Sequence, residues 1–417
     1  MDTQYLVNVP APASARFGAE HRWKVLAVGV AANASFSAAA TGLPTTAVWM
    51  RSGYHLGNAE LGLVLGSMGF GLALSELPWG FATDRFGDRP VLMTGLLSTA
   101  LALVAMSLFV VPSLTSIPGL WLLVAGMCLV GLLGGSVNGS SGRAVMSWFK
   151  EGERGLAMSI RQTAVPLGGG LGASMLPSLA SSHGFASVYG TLAALCAISA
   201  AFAWRWLHEP PQAGAVTSQA VERPTRSPLA DLQIWRVALG IGVLCMPQFA
   251  VLAFASIFLH DFGHLGTAGI SVAMATVQVG AMIMRVWSGR HTDRRGNRRG
   301  YMRGSTLVAV LSFMVLAAGV AFERHASIAL VVAALVIAGV CVSAWHGVAY
   351  AELATLAGPA RAGTALGLAN TIVYVGLFLV PVAIPHLLAA SSWSIVWLVA
   401  GAIALTVYPL FPKPVQA

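Results

Sequence analysis

Charge is what this sequence has least of. Of 417 residues only 9% are Asp, Glu, Lys or Arg, against 56% hydrophobic, and the mean hydropathy is +0.75. A soluble domain carries about 25% charged residues. So few charges cannot cover a water-facing surface of this size, which excludes an ordinary soluble enzyme or binding domain. Cysteine is scarce too. Cys128, Cys196, Cys245 and Cys341 all fall in apolar runs and none has a paired spacing, so neither a disulfide framework nor a metal cluster is expected. His291 with Asp293 is the nearest approach to a metal pair, and it is discounted because it lies in a repeated turn. No nucleotide-binding loop of the G-x-x-x-x-G-K-S/T type occurs, and no cofactor is implied. The first 22 residues lack the short apolar core of a signal peptide. The first helix is therefore expected to be retained. Asn33 and Asn138 match the glycosylation pattern but lie within apolar runs, so the outer loops offer no acceptor.

What is present is a set of apolar runs. A stretch of about 20 apolar residues spans a bilayer as a helix, and twelve such runs can be read between Val25 and Phe411. The expected fold is an all-α membrane protein. With the N-terminus inside, the loops on the cytoplasmic side hold 19 Lys and Arg and the outer loops only two, Arg51 and Arg324. This bias sets the orientation, with both termini cytoplasmic. It also accounts for the net charge of +9. The basic loops suit anionic headgroups, so no nucleic-acid partner is needed.

One charged turn occurs twice. GFATDRFGDRP starts at Gly80 and GRHTDRRGNRR at Gly289, an offset of 209 residues. Gly80, Asp84, Arg85, Gly87 and Arg89 fall on Gly289, Asp293, Arg294, Gly296 and Arg298. Upstream, His55, Leu56, Gly57 and Ala59 fall on His264, Leu265, Gly266 and Ala268. Between the copies lies the longest polar stretch, rich in Pro and Ser, which reads as a linker. The expected plan is a cytoplasmic tail (1–22), a six-helix bundle (23–207), a cytoplasmic linker (208–233), a second bundle (234–411) and a short tail (412–417). Both turns lie on one side of the membrane, so the repeat is parallel. Such repeats hold a site near the midplane between halves that rock.

In this the sequence resembles the major facilitator superfamily over nearly its whole length. The family's turn motif, G-x-x-x-D-R-x-G-R/K-R/K, reads here as Gly80, Asp84, Arg85, Gly87, Asp88 and Arg89. Asp88 stands where the family usually has a base. The resemblance implies twelve spans in two parallel six-helix repeats, a secondary transporter rather than an enzyme, and work by alternating access as a monomer. It also implies a latch: Asp84 caps the start of the eleventh helix, near Ala362, while Gly80 lets that neighbour come close. Arg143 to Gly169 (with W-F followed by E-R-G) loosely resembles anion–cation symporter and cyanate- or nitrate-type bacterial branches. Pro166, Gly169 and Gly170 match part of a drug-antiporter motif, with Val165 in place of its glycine. A bacterial inner membrane is the expected location.

Ionisable residues within spans are costly and are functional candidates by default. Here they are Glu76, Arg143, Arg161, Arg285 and Glu352, joined by His346. The 209-residue offset maps Glu76 onto Arg285 and Arg143 onto Glu352, with the signs exchanged, while Arg161 maps onto Asn370. Arg143 is free to pair with Glu76 or Asp84, and Glu352 with Arg294 or Arg361, as parts of the latch. Arg161 is left without an acid in its half, and it and Arg285 are the leading ligand contacts. A guanidinium holds a carboxylate by two parallel hydrogen bonds. The expected cargo is therefore a small organic anion, a carboxylate, held by Arg161, Arg285, Gln162, Asn370, Arg143 and Gln248. Glu76 and His346 are the candidates for a coupled proton. The first helix carries no acid to hold a cation, which disfavours the alternative, efflux of a cationic or hydrophobic drug.

Overall fold

The computed structural model describes residues 20–113, 115–149, 154–208, 230–295, 297–322, 327–357 and 362–412. Gly296, Arg361 and most of the expected tails and linker lie outside these residues, as do the side chains of Asp84 and Asp293. Lipid offers the backbone no partners, so each pass satisfies its own hydrogen bonds as a helix. The helices are α1 (His21–Ser37), α2 (Ala47–Gly53), α3 (Asn58–Phe86), α4 (Asp88–Phe109), α5 (Leu120–Gly134), α6 (Ser136–Trp148), α7 (Arg154–Gln162), α8 (Ala164–Trp206), α9 (Leu232–Asp261), α10 (Thr267–Arg295), α11 (Arg298–Ala321), α12 (Ile328–Cys341), α13 (His346–Ala357), α14 (Ala362–Ala390) and α15 (Trp393–Thr406).

Among the described residues, ten helical runs are long and apolar enough to cross a membrane. The longest, Ile160–Trp206, covers 47 residues and breaks at Gly184, where φ is 74°. A positive φ of this kind is open to glycine at little strain. The break divides the run into two passes. With the shorter apolar helix Trp393–Thr406, the described residues are consistent with the twelve spans read from the sequence. The chain is thus a multi-pass, all-helical membrane protein.

Internal duplication is visible in the backbone. The only non-glycine residues with positive φ among the described residues are His55 (54°) and His264 (52°). They are separated by the same 209 residues as the charged turns, and each precedes the second long helix of its half. The turns themselves differ in how they start the next helix. Asp88 sits in the first turn of α4, where the helix dipole favours an acid. Its counterpart Asn297 caps α11 by accepting from the Gly300 N–H at 2.9 Å. Both departures from the basic residue of the motif therefore serve helix starts.

Glycine sets the closest approaches. α1 continues through a short π-helical turn (Ala38–Gly42) and a 3-10 turn (Leu43–Thr46) into α2. There Gly42 faces Gly172 of α8 so closely that a Cβ on Gly42 would lie 2.7 Å from the Gly172 Cα. A Cβ on Gly62 of α3 would lie 2.1 Å from the Pro381 carbonyl oxygen of α14. Gly66 and Gly69 continue this seam against Phe378 and Leu377. Small residues of this kind let membrane helices pack backbone to backbone. The two halves are drawn together most tightly where α3 begins, the Arg51 end of the bundle.

Candidate functional site

A cavity of about 110 Å³ lies between the halves, lined by α1, α3, α6, α7 and α8 on one side and by α9, α10, α13 and α14 on the other. Its single charged lining residue among those described is Arg285. This side chain is only 6% exposed. It crosses between the halves to donate from Nη1 to the Gln162 carbonyl at 3.1 Å, which ends α7. Its Nε–H has no partner. A buried guanidinium donor left open is energetically expensive unless something fills it.

Arg161 takes a different place. It is 2% exposed and is not among the cavity-lining residues. Its Nε donates to the Ser141 hydroxyl at 3.2 Å. Its Nη2 donates to Ser141 at 2.9 Å, to the Asn138 side-chain oxygen at 2.8 Å and to the Asn138 carbonyl. Asn138 itself lines the cavity and donates to the Tyr374 hydroxyl at 3.4 Å. Arg161 thus braces the cavity wall from behind. Of the two arginines singled out in the sequence, Arg285 alone faces the central space.

A chain of hydrogen bonds links the wall to Glu76. The Tyr350 hydroxyl donates to Asn370 Oδ1 at 2.8 Å, and Asn370 Nδ2 donates to Glu76 Oε1 at 3.1 Å. Glu76 is on α3 and Asn370 on α14, so the contact spans the halves. Glu76 is 8% exposed and its Oε2 has no partner. Gln248 lines the cavity next to Pro247, within α9. Its Nε2 donates to the Ser343 hydroxyl at 3.1 Å. His346 also lines the cavity. Its ring stacks on Trp345 with centroids 4.1 Å apart, and its Nε2 faces the Cys245 thiol at 3.6 Å. Trp345 is fully buried and donates to the Val342 carbonyl, which makes it a packing residue.

The comparisons with known proteins agree with this architecture. A family model described as the Major Facilitator Superfamily matches residues 237–416. An uncharacterized MFS-type transporter of Mycobacterium tuberculosis is 28% identical over 396 residues, covering 95% of this chain and 86% of the relative. The xylose transporter XylE from E. coli, in an inward-open conformation, superposes with a TM-score of 0.74 at 16% identity, covering 95% of this chain and 97% of that one. Together these matches support a transporter of the major facilitator superfamily. The chain is also similar to probable anion transporter 6 of Oryza sativa, at 26% identity over 44% of this chain and 45% of the relative.

The residues read as the transporter's latch fall near the opposite end of the bundle from Arg51. Arg143 reaches back to the turn, donating to the Thr83 carbonyl at 2.7 Å, with its Nε 3.4 Å from Asp88. Its partner therefore includes the acid that departs from the motif. It lies outside the cavity. Glu352 pairs with Arg299 at 2.7 Å rather than with Arg294. Among the described residues, each half therefore has such a pair with the charges interchanged, base on α6 and acid at the start of α4, then acid on α13 and base on α11. Arg89 donates to the Trp204 carbonyl at 2.7 Å and Arg298 to the Thr355 hydroxyl at 3.2 Å, each tying its turn to its own half. Arg85 lies over the Phe86 ring. Gly87 adopts φ 87°, a conformation suited to glycine. Arg294 stands on the exposed end of α10, one turn beyond Gly289. Gly80 was expected to admit a close neighbour. Among the described residues no heavy atom lies within 4 Å of where its Cβ would be, and residues 358–361, which lead into the expected neighbour, lie outside them.

Several site residues escaped the sequence reading. Tyr350 and Tyr374 line the cavity and complete its hydrogen bonds, but nothing in a tyrosine within an apolar run distinguishes such a role from packing. Cys245 read as apolar filler, yet it lines the cavity. Arg51 read as an outer-loop charge. It forms a two-pronged pair with Asp261 at 2.6 and 2.7 Å, joining α2 to the end of α9. A signal for this was present. The 209-residue offset carries Arg51 to His260, the neighbour of Asp261.

Proposed function

We propose that this transporter moves a small organic anion, a carboxylate, by alternating access between its two halves, with Arg285 as the residue that holds the anion. The observation that carries this reading is the buried Arg285 guanidinium, the one charge on the cavity wall among the described residues, with its Nε–H unmatched. A carboxylate supplies both the charge and the acceptor. Asn370, Gln162 and Gln248 shape the same wall, and Arg161 holds Asn138 in place. A cationic drug would meet a positive charge and no acid. The rice relative, whose name describes a probable anion transporter, adds weight to the same reading.

Coupling to protons is assigned to Glu76. It touches the partner half through Asn370 and keeps one oxygen open, so gain or loss of a proton changes a contact between the halves. His346, packed on Trp345, is the second candidate. In this reading the Arg51 end faces outward, the charged turns face the cytoplasm of a bacterial cell, and the inner membrane is the site of action. Uptake into proteoliposomes tests it. Carboxylate accumulation that depends on Arg285 and responds to an imposed pH gradient is expected. Transport of cations alone would overturn the assignment.

A further inference from the structure

The cavity wall carries more than one unmatched polar atom, and their chemistry differs. Arg285 Nε and Asn33 Nδ2 are donors without partners, and Gln248 Oε1 is an acceptor without one. All three residues line the same cavity, and Asn33 and Gln248 are 3% and 7% exposed. The orientation of the Gln248 amide is fixed by its neighbour. The Ser343 hydroxyl gives its single proton to the Gly339 carbonyl at 2.9 Å, so toward Gln248 it can only accept. Nε2 therefore faces Ser343, and Oε1 is left over on a residue of the cavity wall.

Resting on the anion reading above, we propose that the cargo is a short hydroxy-monocarboxylate, with its carboxylate on Arg285 and its hydroxyl donating to Gln248 Oε1. A hydroxyl is both donor and acceptor, so it can also take the open Asn33 donor. Three alternatives fit less well. An amino acid brings an ammonium group, and the lining residues among those described include no carboxylate to receive it. A dicarboxylate needs a second cation, but Arg161 has committed Nε and Nη2 to Ser141 and Asn138 behind the wall. A plain fatty acid leaves Gln248 Oε1 desolvated and unpaired, which is costly for a buried acceptor.

The test is calorimetric binding to the full-length protein in detergent, with lactate, propanoate, alanine and malate as probes. Lactate and propanoate differ only by the hydroxyl. Lactate is expected to bind at least about tenfold more tightly than propanoate, the size of effect set by one buried hydrogen bond. Gln248→Leu is expected to bring that ratio close to one. Ser343→Ala, which frees the amide to rotate, is expected to shrink it as well, and serves if the first variant does not fold. Equal binding of lactate and propanoate, both dependent on Arg285, would overturn this inference while leaving the anion reading intact. So would tighter binding of alanine or malate, or an unaltered ratio in both variants. Binding of none of the carboxylates would overturn both.

Discussion

Arg51 and Asp261 close one end of the molecule with two nearly parallel hydrogen bonds, 2.6 and 2.7 Å long, one side chain from each half. Asp261 also accepts from or pairs with His260 at 2.7 Å, and Arg51 reaches Asn58 at 3.1 Å. Both members are partly exposed, so solvent weakens the pair. Its geometry, rather than its burial, gives it value: a bidentate arginine–carboxylate pair resists sliding as well as separation. Below this pair, the Ser256 hydroxyl donates to the Pro44 carbonyl across the same seam at 3.1 Å. The halves therefore part at this end only when these contacts break.

Removing the pair is expected to shift the balance of states. Asp261→Asn or Arg51→Gln should favour conformations open at the Arg51 end by roughly 2- to 5-fold, the range of a well-formed but exposed ion pair of about 0.5–1 kcal/mol. Cysteine labelling of positions near Asn58 reads this directly. Reversing the charges together, Arg51→Asp with Asp261→Arg, should restore the original labelling. If the single variants label like the parent, the pair does not control opening.

The α3–α14 seam predicts a packing defect. Gly62→Ala places a methyl 2.1 Å from the Pro381 carbonyl oxygen and 2.8 Å from the ring of Pro385, so the helices must separate. Overpacking of this kind costs about 1–3 kcal/mol. Gly80→Ala is the control, since no described atom lies within 4 Å there. Thermal unfolding in detergent should fall clearly for Gly62→Ala and hardly for Gly80→Ala. A reverse order would contradict the seam as described.

Glu76 predicts a separation of exchange from accumulation. Glu76→Gln keeps an oxygen to accept from Asn370 but cannot release a proton. Proteoliposomes containing it should still exchange labelled for unlabelled carboxylate across the membrane. They should no longer concentrate it in response to a pH gradient. Equal loss of both activities would remove Glu76 from the coupling role.

Much of the architecture was legible in the sequence because it is written in composition and repetition. Twelve apolar runs and a duplicated turn require no tertiary information, and the duplication reappears as the paired left-handed histidines His55 and His264. The intramembrane charges could likewise be found by their expense alone. Their partners could not. Arg161 and Arg285 look alike in a sequence, and only packing decides that Asn138 and Ser141 claim the first while the second keeps a free donor. The ion pairs of Arg143 with Asp88 and Glu352 with Arg299 depend on which residue of a turn faces which helix. Sequence spacing does not specify this.

The account rests on Arg285 as the seat of the anion, and carboxylate binding to the Arg285→Gln protein tests it most directly. The variant should keep its fold, as judged by thermal unfolding, and bind carboxylates at least about 100-fold more weakly, the loss expected when a buried charge-assisted pair of roughly 3 kcal/mol is removed. Arg285→Lys should fall between, since an ammonium retains the charge without the fork of donors. Undiminished carboxylate binding by a folded Arg285→Gln protein would contradict it.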